Sequence, residues 1–196
     1  MLGSLSARKT MRRLLLTMLA FAVATGVNTA SVEIQQRRQW LTRCFKDWGW
    51  YVHLALIAPG YLWFFSLLRG LGSQARWPLP RTLRRLGMPL GLLAAALGLG
   101  ALGQLGPAGA LDGYFFGRSK PNRVSGGVFR WLRNPMYDSY VLAFVAAACR
   151  KQNAVHLLLA AESFVLLNLI EASVENRPFQ ETRREGAPVP PLLRPF

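Results

Sequence analysis

The sequence predicts an all-α, polytopic membrane helix bundle with four or five membrane segments. Three observations carry this. Just over half of the 196 residues are apolar. They come in blocks that approach the ~20 residues a helix needs to cross the hydrocarbon. The blocks lack a polar face at helical spacing, which argues against a soluble helical domain. The third observation is the charge. A formal +15, from 24 basic and 9 acidic residues, gathers in the connections between blocks. Basic clusters beside apolar segments suit anionic headgroups, at about 1 kcal/mol per residue near the surface. Ordinary positive-inside bias explains most of them. No soluble fold or recognition element accompanies the charge, so nucleic-acid binding is excluded as a reading.

The elements follow in order. Residues 1–13 hold Arg8, Lys9, Arg12 and Arg13 and no acid, and an apolar run from Leu14 to Val27 follows. That pattern fits an uncleaved membrane or interfacial segment, a signal peptide cut near Ala30, or a mitochondrial presequence. The first of these is favoured here. Residues 33–47 are polar and basic, and Trp40 and Trp48 suit interface anchors. The second block runs from Trp48 to Leu68 with Pro59-Gly60 inside it, and a basic loop with Pro78 and Pro80 follows. The third, Leu86 to Leu111, is rich in Gly and Ala, residues that let helix backbones approach closely in lipid. A polar connection over residues 112–135 leads to the fourth block, Met136 to Cys149. At 1.5 Å per residue this block reaches only ~21 Å, short of a ~30 Å core. Arg150-Lys151-Gln152-Asn153 separates it from the fifth block, Ala154 to Ile170. The last two blocks make a helical hairpin, which returns the chain to its starting side. Residues 120–135 and the segment from Glu171 are therefore expected on one membrane face. Three regions result: a basic amino-terminal region, 1–47; a membrane domain, 48–179; and an irregular, Pro-rich tail, 180–196.

The most informative stretch is Arg133-Asn134-Pro135-Met136-Tyr137, at the mouth of the fourth block. Pro135 suits a first helical turn and Asn134 suits its cap. A good helix start accounts for both, but not for Arg133, Tyr137 and Asp138 around them. Glu171 and Glu175, four apart, share one helical face. Glu175 also reads as a solvated helix end beside Arg177. Glu162 falls inside the fifth block and suits a hydrogen bond to a neighbouring helix rather than catalysis. Gly98-Leu99-Gly100 follows no strand, so a dinucleotide site is excluded and helix packing is the better reading. Cys44 and Cys149 imply no disulfide framework. With only His53 and His156 besides, no metal site is expected.

Taken together these features resemble the phosphatidylethanolamine (phospholipid) N-methyltransferase family, related to the isoprenylcysteine carboxyl methyltransferases. The resemblance covers roughly residues 48–179. Gly98-Leu99-Gly100 matches the family's Gly-x-Gly. Asp112-Gly113-Tyr114-Phe115-Phe116-Gly117 is similar to its Gly-Asp-Tyr-Phe-Gly stretch, and Arg123-Val124-Ser125 to its Arg-Val-Thr step. Asn134 to Tyr137 is identical to its Asn-Pro-Met-Tyr. The family's late Glu-Glu-Pro-Phe reads Glu175-Asn176-Arg177-Pro178-Phe179 here, with one carboxylate replaced and a residue added.

The resemblance implies methylation of the amine headgroup of phosphatidylethanolamine or its monomethyl derivative, towards phosphatidylcholine, with S-adenosyl-L-methionine as donor. The cofactor-binding residues it implies are Gly98, Gly100, Glu175 and Asn176. An ammonium must lose a proton before it can attack, and Tyr137, Asp138 and Glu171 are the catalytic candidates for that task. Arg123, Arg130 and Arg133 are candidates for the lipid phosphate. Two alternatives stay open: methyl transfer to a prenylcysteine or other small acceptor, and a non-catalytic membrane homologue. By family analogy the membrane is that of the endoplasmic reticulum; the acid-free amino terminus points instead to a mitochondrial membrane. Neither oligomeric state nor membrane orientation is legible.

Overall fold

The computed structural model describes residues 2–71, 79–118, 124 and 126–175, with side chains over all of these except 2–7, 174 and 175. The described residues are helical apart from short turns. Their helices are α1 (Leu2–Arg38), α2 (Trp40–Phe45), α3 (Gly49–Gly70), α4 (Gly87–Ala110), α5 (Pro135–Lys151) and α6 (Val155–Ile170). A π-helical turn, Glu171–Glu175, continues α6. Four helical stretches are long and apolar enough to cross a membrane: Arg8–Arg38, Trp40–Gly70, Arg81–Phe116 and Val155–Ser173. The expected all-α membrane bundle is therefore the observed one, and the apolar blocks became α1 and α3 to α6.

The long helices alternate in direction. A Cβ on Gly60 would meet Ala24, Arg13 donates to the Gly70 carbonyl at 3.2 Å, and Ser31 meets His53, so α1 and α3 are antiparallel. Trp50 Nε1 donates to the Leu111 carbonyl at 2.8 Å and ties the start of α3 to the end of α4. The α1 helix runs through Ala30 without interruption. It buries Leu14, Thr17, Ala20, Phe21, Ala24, Thr25, Val32 and Gln35 at helical spacing, so one face of it belongs to the bundle core.

The α4–α5 pair shows how sequence becomes packing. Gly87, Gly91, Ala94, Gly98 and Ala101 recur every three or four residues, which lines up small side chains along one face of α4. A Cβ on Gly87 would lie 2.7 Å from the Arg150 backbone nitrogen and 3.0 Å from the Ala146 carbonyl oxygen. One on Gly98 would lie 3.1 Å from Ser139 Oγ. Apolar burial adds little inside lipid, so close backbone contact has to supply the attraction, and small residues permit it. Near its end α4 breaks at Gly106, where φ is 69° and Pro107 follows.

An aromatic core completes the bundle. Phe64 of α3 lies 5.0 Å from Phe21 of α1 and 6.2 Å, edge-on, from Phe144 of α5. Leu159, Ala160 and Leu167 of α6 pack into the same cluster. The alternation sorts the molecule into two ends. One holds the ends of α1, α4 and α6 and the starts of α3 and α5. The other holds the start of α1, the end of α3, the start of α4 and the α5–α6 turn.

Candidate active site

The turn over residues 126–134, just before α5, sets the site's floor. Gly127, at φ 52°, lies under the Gln104 amide so closely that any side chain would collide with it. The turn Gly127–Arg130 thereby docks against the end of α4, where Val128 covers Gly100. Asn134 then caps α5: its Oδ1 accepts from the Tyr137 backbone N–H at 3.3 Å, and buried Pro135 fills the first turn. This cap is the one the residue order leads one to expect.

At the far end of the hairpin, α6 delivers Glu171 to the same place. Arg133 Nε donates to Glu171 Oε1 at 2.8 Å. The carboxylate side chain is only 11% exposed, whereas the guanidinium is 67% exposed. A largely buried carboxylate is costly unless paired, and here a charge-assisted bond from the solvent side pairs it. Asp138 follows one residue after Tyr137, in the first turn of α5, at its loop end. Its carboxyl is raised above the usual Asp range, first by burial and then by the charge of Glu171. Two carboxylates and one guanidinium thus converge at the open end of the hairpin. Arg133, Asp138 and Glu171 are brought together, and Tyr137 packs at the edge of the aromatic core beside them.

Other candidates lie differently. Gly98 and Gly100 turn their bare faces to Ser139 and Val128, so both bring neighbouring elements close. Arg130 is exposed, 5.6 Å over the Trp131 ring. Glu175 ends the π-helical turn, at the same end as Tyr137, and its side chain is not described. Arg123 and Asn176 lie outside the described residues. Among the described residues no His, Cys, Asp and Glu cluster suits a metal.

A second polar group, unmarked by any sequence motif, lies at the same end. His53 of α3 is fully buried. Its Nδ1 lies 2.8 Å from Ser31 Oγ of α1, and its Nε2 lies 3.7 Å from Asp112 Oδ2, just past α4. In the sequence Asp112 stands out only within a motif, and His53 only as an improbable metal ligand. An ionisable residue inside an apolar block was the signal available.

Fold and site together define a membrane-embedded helical bundle with a carboxylate–guanidinium centre at one surface. Residues 83–182, just over half of the chain, match the phospholipid methyltransferase family, and the chain belongs to that family. It is also similar to the phosphatidyl-N-methylethanolamine N-methyltransferase of Schizosaccharomyces pombe, with 36% identity over 75 residues. That alignment covers 38% of this chain, and the chain spans 38% of the relative's length. No solved structure matches.

Proposed function

We propose that this protein methylates the amine headgroup of phosphatidylethanolamine or its monomethyl derivative within the bilayer, using S-adenosyl-L-methionine. The observation that carries the reading is the Arg133–Glu171 pair: the family's Asn-Pro-Met-Tyr segment and the end of the last helix meet at one surface. The donor set fits the cofactor chemically. Glu171 and Asp138 suit its cationic centres, and Arg133 suits an anionic group. When bound, S-adenosyl-L-methionine supplies an electrophilic methyl group on a sulfonium. Glu171, held in a partly buried site, lowers the cost of keeping a cation there. The exposed side of Arg133, with Arg130 and Arg123, suits the lipid phosphate. Gly98 and Gly100 contribute by bringing α5 and its preceding turn against α4. Glu175 and Asn176 follow Glu171 closely enough in sequence to extend the cofactor site. Tyr137, beside Asp138, lines the cofactor side of the site. Holding two reactants in line does much of the remaining work in such a transfer.

The test is incubation with methyl-labelled S-adenosyl-L-methionine and a phospholipid panel in nanodiscs. The expected product is methylated phosphatidylethanolamine. Label in a prenylcysteine ester would instead assign the alternative acceptor, and cofactor binding without any transfer would favour the non-catalytic homologue. The same resemblance favours the endoplasmic reticulum membrane, while the amino-terminal arginines favour a mitochondrial one; fractionation of the tagged chain separates the two.

A further inference from the structure

We propose that Asp112 and His53 form the amine-binding and proton-accepting site: Asp112 holds the lipid ammonium, and His53 Nε2 takes its proton. The inference rests on the phospholipid-amine reading above. It begins with cost. A fully buried histidine inside a membrane helix is expensive unless it has a partner and a task. Its partner on one side is fixed, since Ser31 Oγ lies 2.8 Å from Nδ1. In the proposed tautomer Nδ1–H donates to Ser31 Oγ, which leaves the lone pair on Nε2. That atom makes no hydrogen bond to any described residue, and it faces Asp112 Oδ2 across 3.7 Å. At that distance the two groups face each other electrostatically without a direct hydrogen bond.

Asp112 has the complementary properties. It sits in the left-handed region at φ 60°, a conformation that persists where the surroundings impose it. It lies just beyond the C-terminal end of α4, where carbonyl dipoles favour a cation. Its side chain keeps 18% exposure while His53 behind it has none. An ammonium can therefore reach Asp112 from the membrane surface, and the carboxylate stands between it and the buried Nε2. Phe116, ring centroid 5.1 Å from His53, walls the imidazole on the side of the following turn.

The proton balance is simple. One N–H bond of the ammonium breaks and its electron pair stays on nitrogen, which is the lone pair that attack requires. The proton passes to the Asp112 carboxylate and from it to Nε2, and the imidazolium formed is paired with Asp112. The positive charge moves from substrate to protein without leaving the carboxylate, and the proton then passes to water along the exposed edge of Asp112.

Among the described residues, the other charged and titratable groups nearby have neighbours of their own. On α1, Glu33 is bound to Arg37 at 2.6 Å. Arg118, after α4, lies over the Tyr51 ring and donates to the Asp47 carbonyl. Tyr61 of α3 is within electrostatic reach of Asp112 and of Tyr140 on α5.

The test is turnover of monomethyl phosphatidylethanolamine in nanodiscs by wild type, His53→Gln and Asp112→Asn, from about pH 6.5 to the amine's own range near about pH 10. Near neutrality His53→Gln should be slower by about 10²-fold or more. It should converge on wild type as the amine deprotonates by itself. Asp112→Asn should raise KM for the lipid, and both variants should bind S-adenosyl-L-methionine as wild type does. A second readout needs no turnover. The His53 Nε2 resonance should shift when phosphatidylethanolamine replaces phosphatidylcholine, which has no N–H to give, and Asp112→Asn should abolish the shift. A His53→Gln rate equal to wild type, a loss that is the same at every pH, or an unmoved resonance overturns the inference while leaving the lipid-amine reading intact. A wild type that transfers no methyl to any lipid amine overturns that reading and this inference with it.

Discussion

The two ends of the bundle carry opposite kinds of order. At the end where α4 gives way to α5, carboxylates gather: Asp112, Asp138 and Glu171 lie there with Glu33 and Asp47, and Arg133 crosses to Glu171. At the other end the side chains are basic and the packing is tight. Arg81, Arg84 and Arg85 line a shallow cavity with Gln152, and Gly87 fits under the Arg150 backbone. Arginine content alone does not distinguish them, since both ends are rich in it. The difference is that one end spends its polar groups on each other at partly buried positions, and the other points its cations outward. In a membrane protein the first arrangement costs free energy and so implies a task, while the second is what headgroups favour without any task.

The comparison makes separable predictions. The largest effect should come from the packed end. Gly87→Leu drives a side chain into the Arg150 backbone, and we expect a loss of about 3 kcal/mol, seen as a lower thermal midpoint in detergent. An unchanged midpoint would show that the seam opens freely. Glu171→Gln should do the reverse: methyl transfer to lipid falls by about 10²-fold, since a charge-assisted bond is weakened, while the midpoint barely moves. If transfer persists at the wild-type rate, Glu171 leaves the site. Asn134→Ala removes the cap on the Tyr137 amide and should cost about 1 kcal/mol by the same melting assay; no change would mean that Pro135 sets the helix start alone.

The smallest effect concerns Asp138. Its carboxyl is raised above the ordinary 3.8 by burial and by Glu171, so folding favours the protonated form. Its contribution to stability is therefore full below 3.8 and fades as pH rises through the raised value. Asp138→Asn should flatten the fall in midpoint over that acid window. Parallel curves for wild type and variant would contradict the assignment.

Much of the fold was legible because each apolar block is punctuated by residues that stop or start a helix. Pro135 after Asn134 fixed the start of α5 within a residue, and the polar Arg150–Asn153 run marked the turn to α6. That hairpin brought Arg133 near Glu171, as the order of the segments led one to expect. The His53–Ser31–Asp112 group was not legible. Its members are far apart in sequence, and only antiparallel packing of α1 against α3, with Trp50 joining α3 to the end of α4, assembles them. The small-residue face of α4 was visible in the composition, but its partner was not: Ala146 and Ser139 announce nothing by themselves.

The account stands or falls on whether the Arg133–Glu171 end holds the methyl donor. Calorimetric titration of S-adenosyl-L-methionine into the purified protein in nanodiscs tests this directly, with wild type, Glu171→Gln and Arg133→Gln side by side. Wild type should bind, and each variant should bind roughly 10- to 100-fold more weakly, with the thermal midpoint unchanged in Glu171→Gln. Equal affinity in all three would contradict the account.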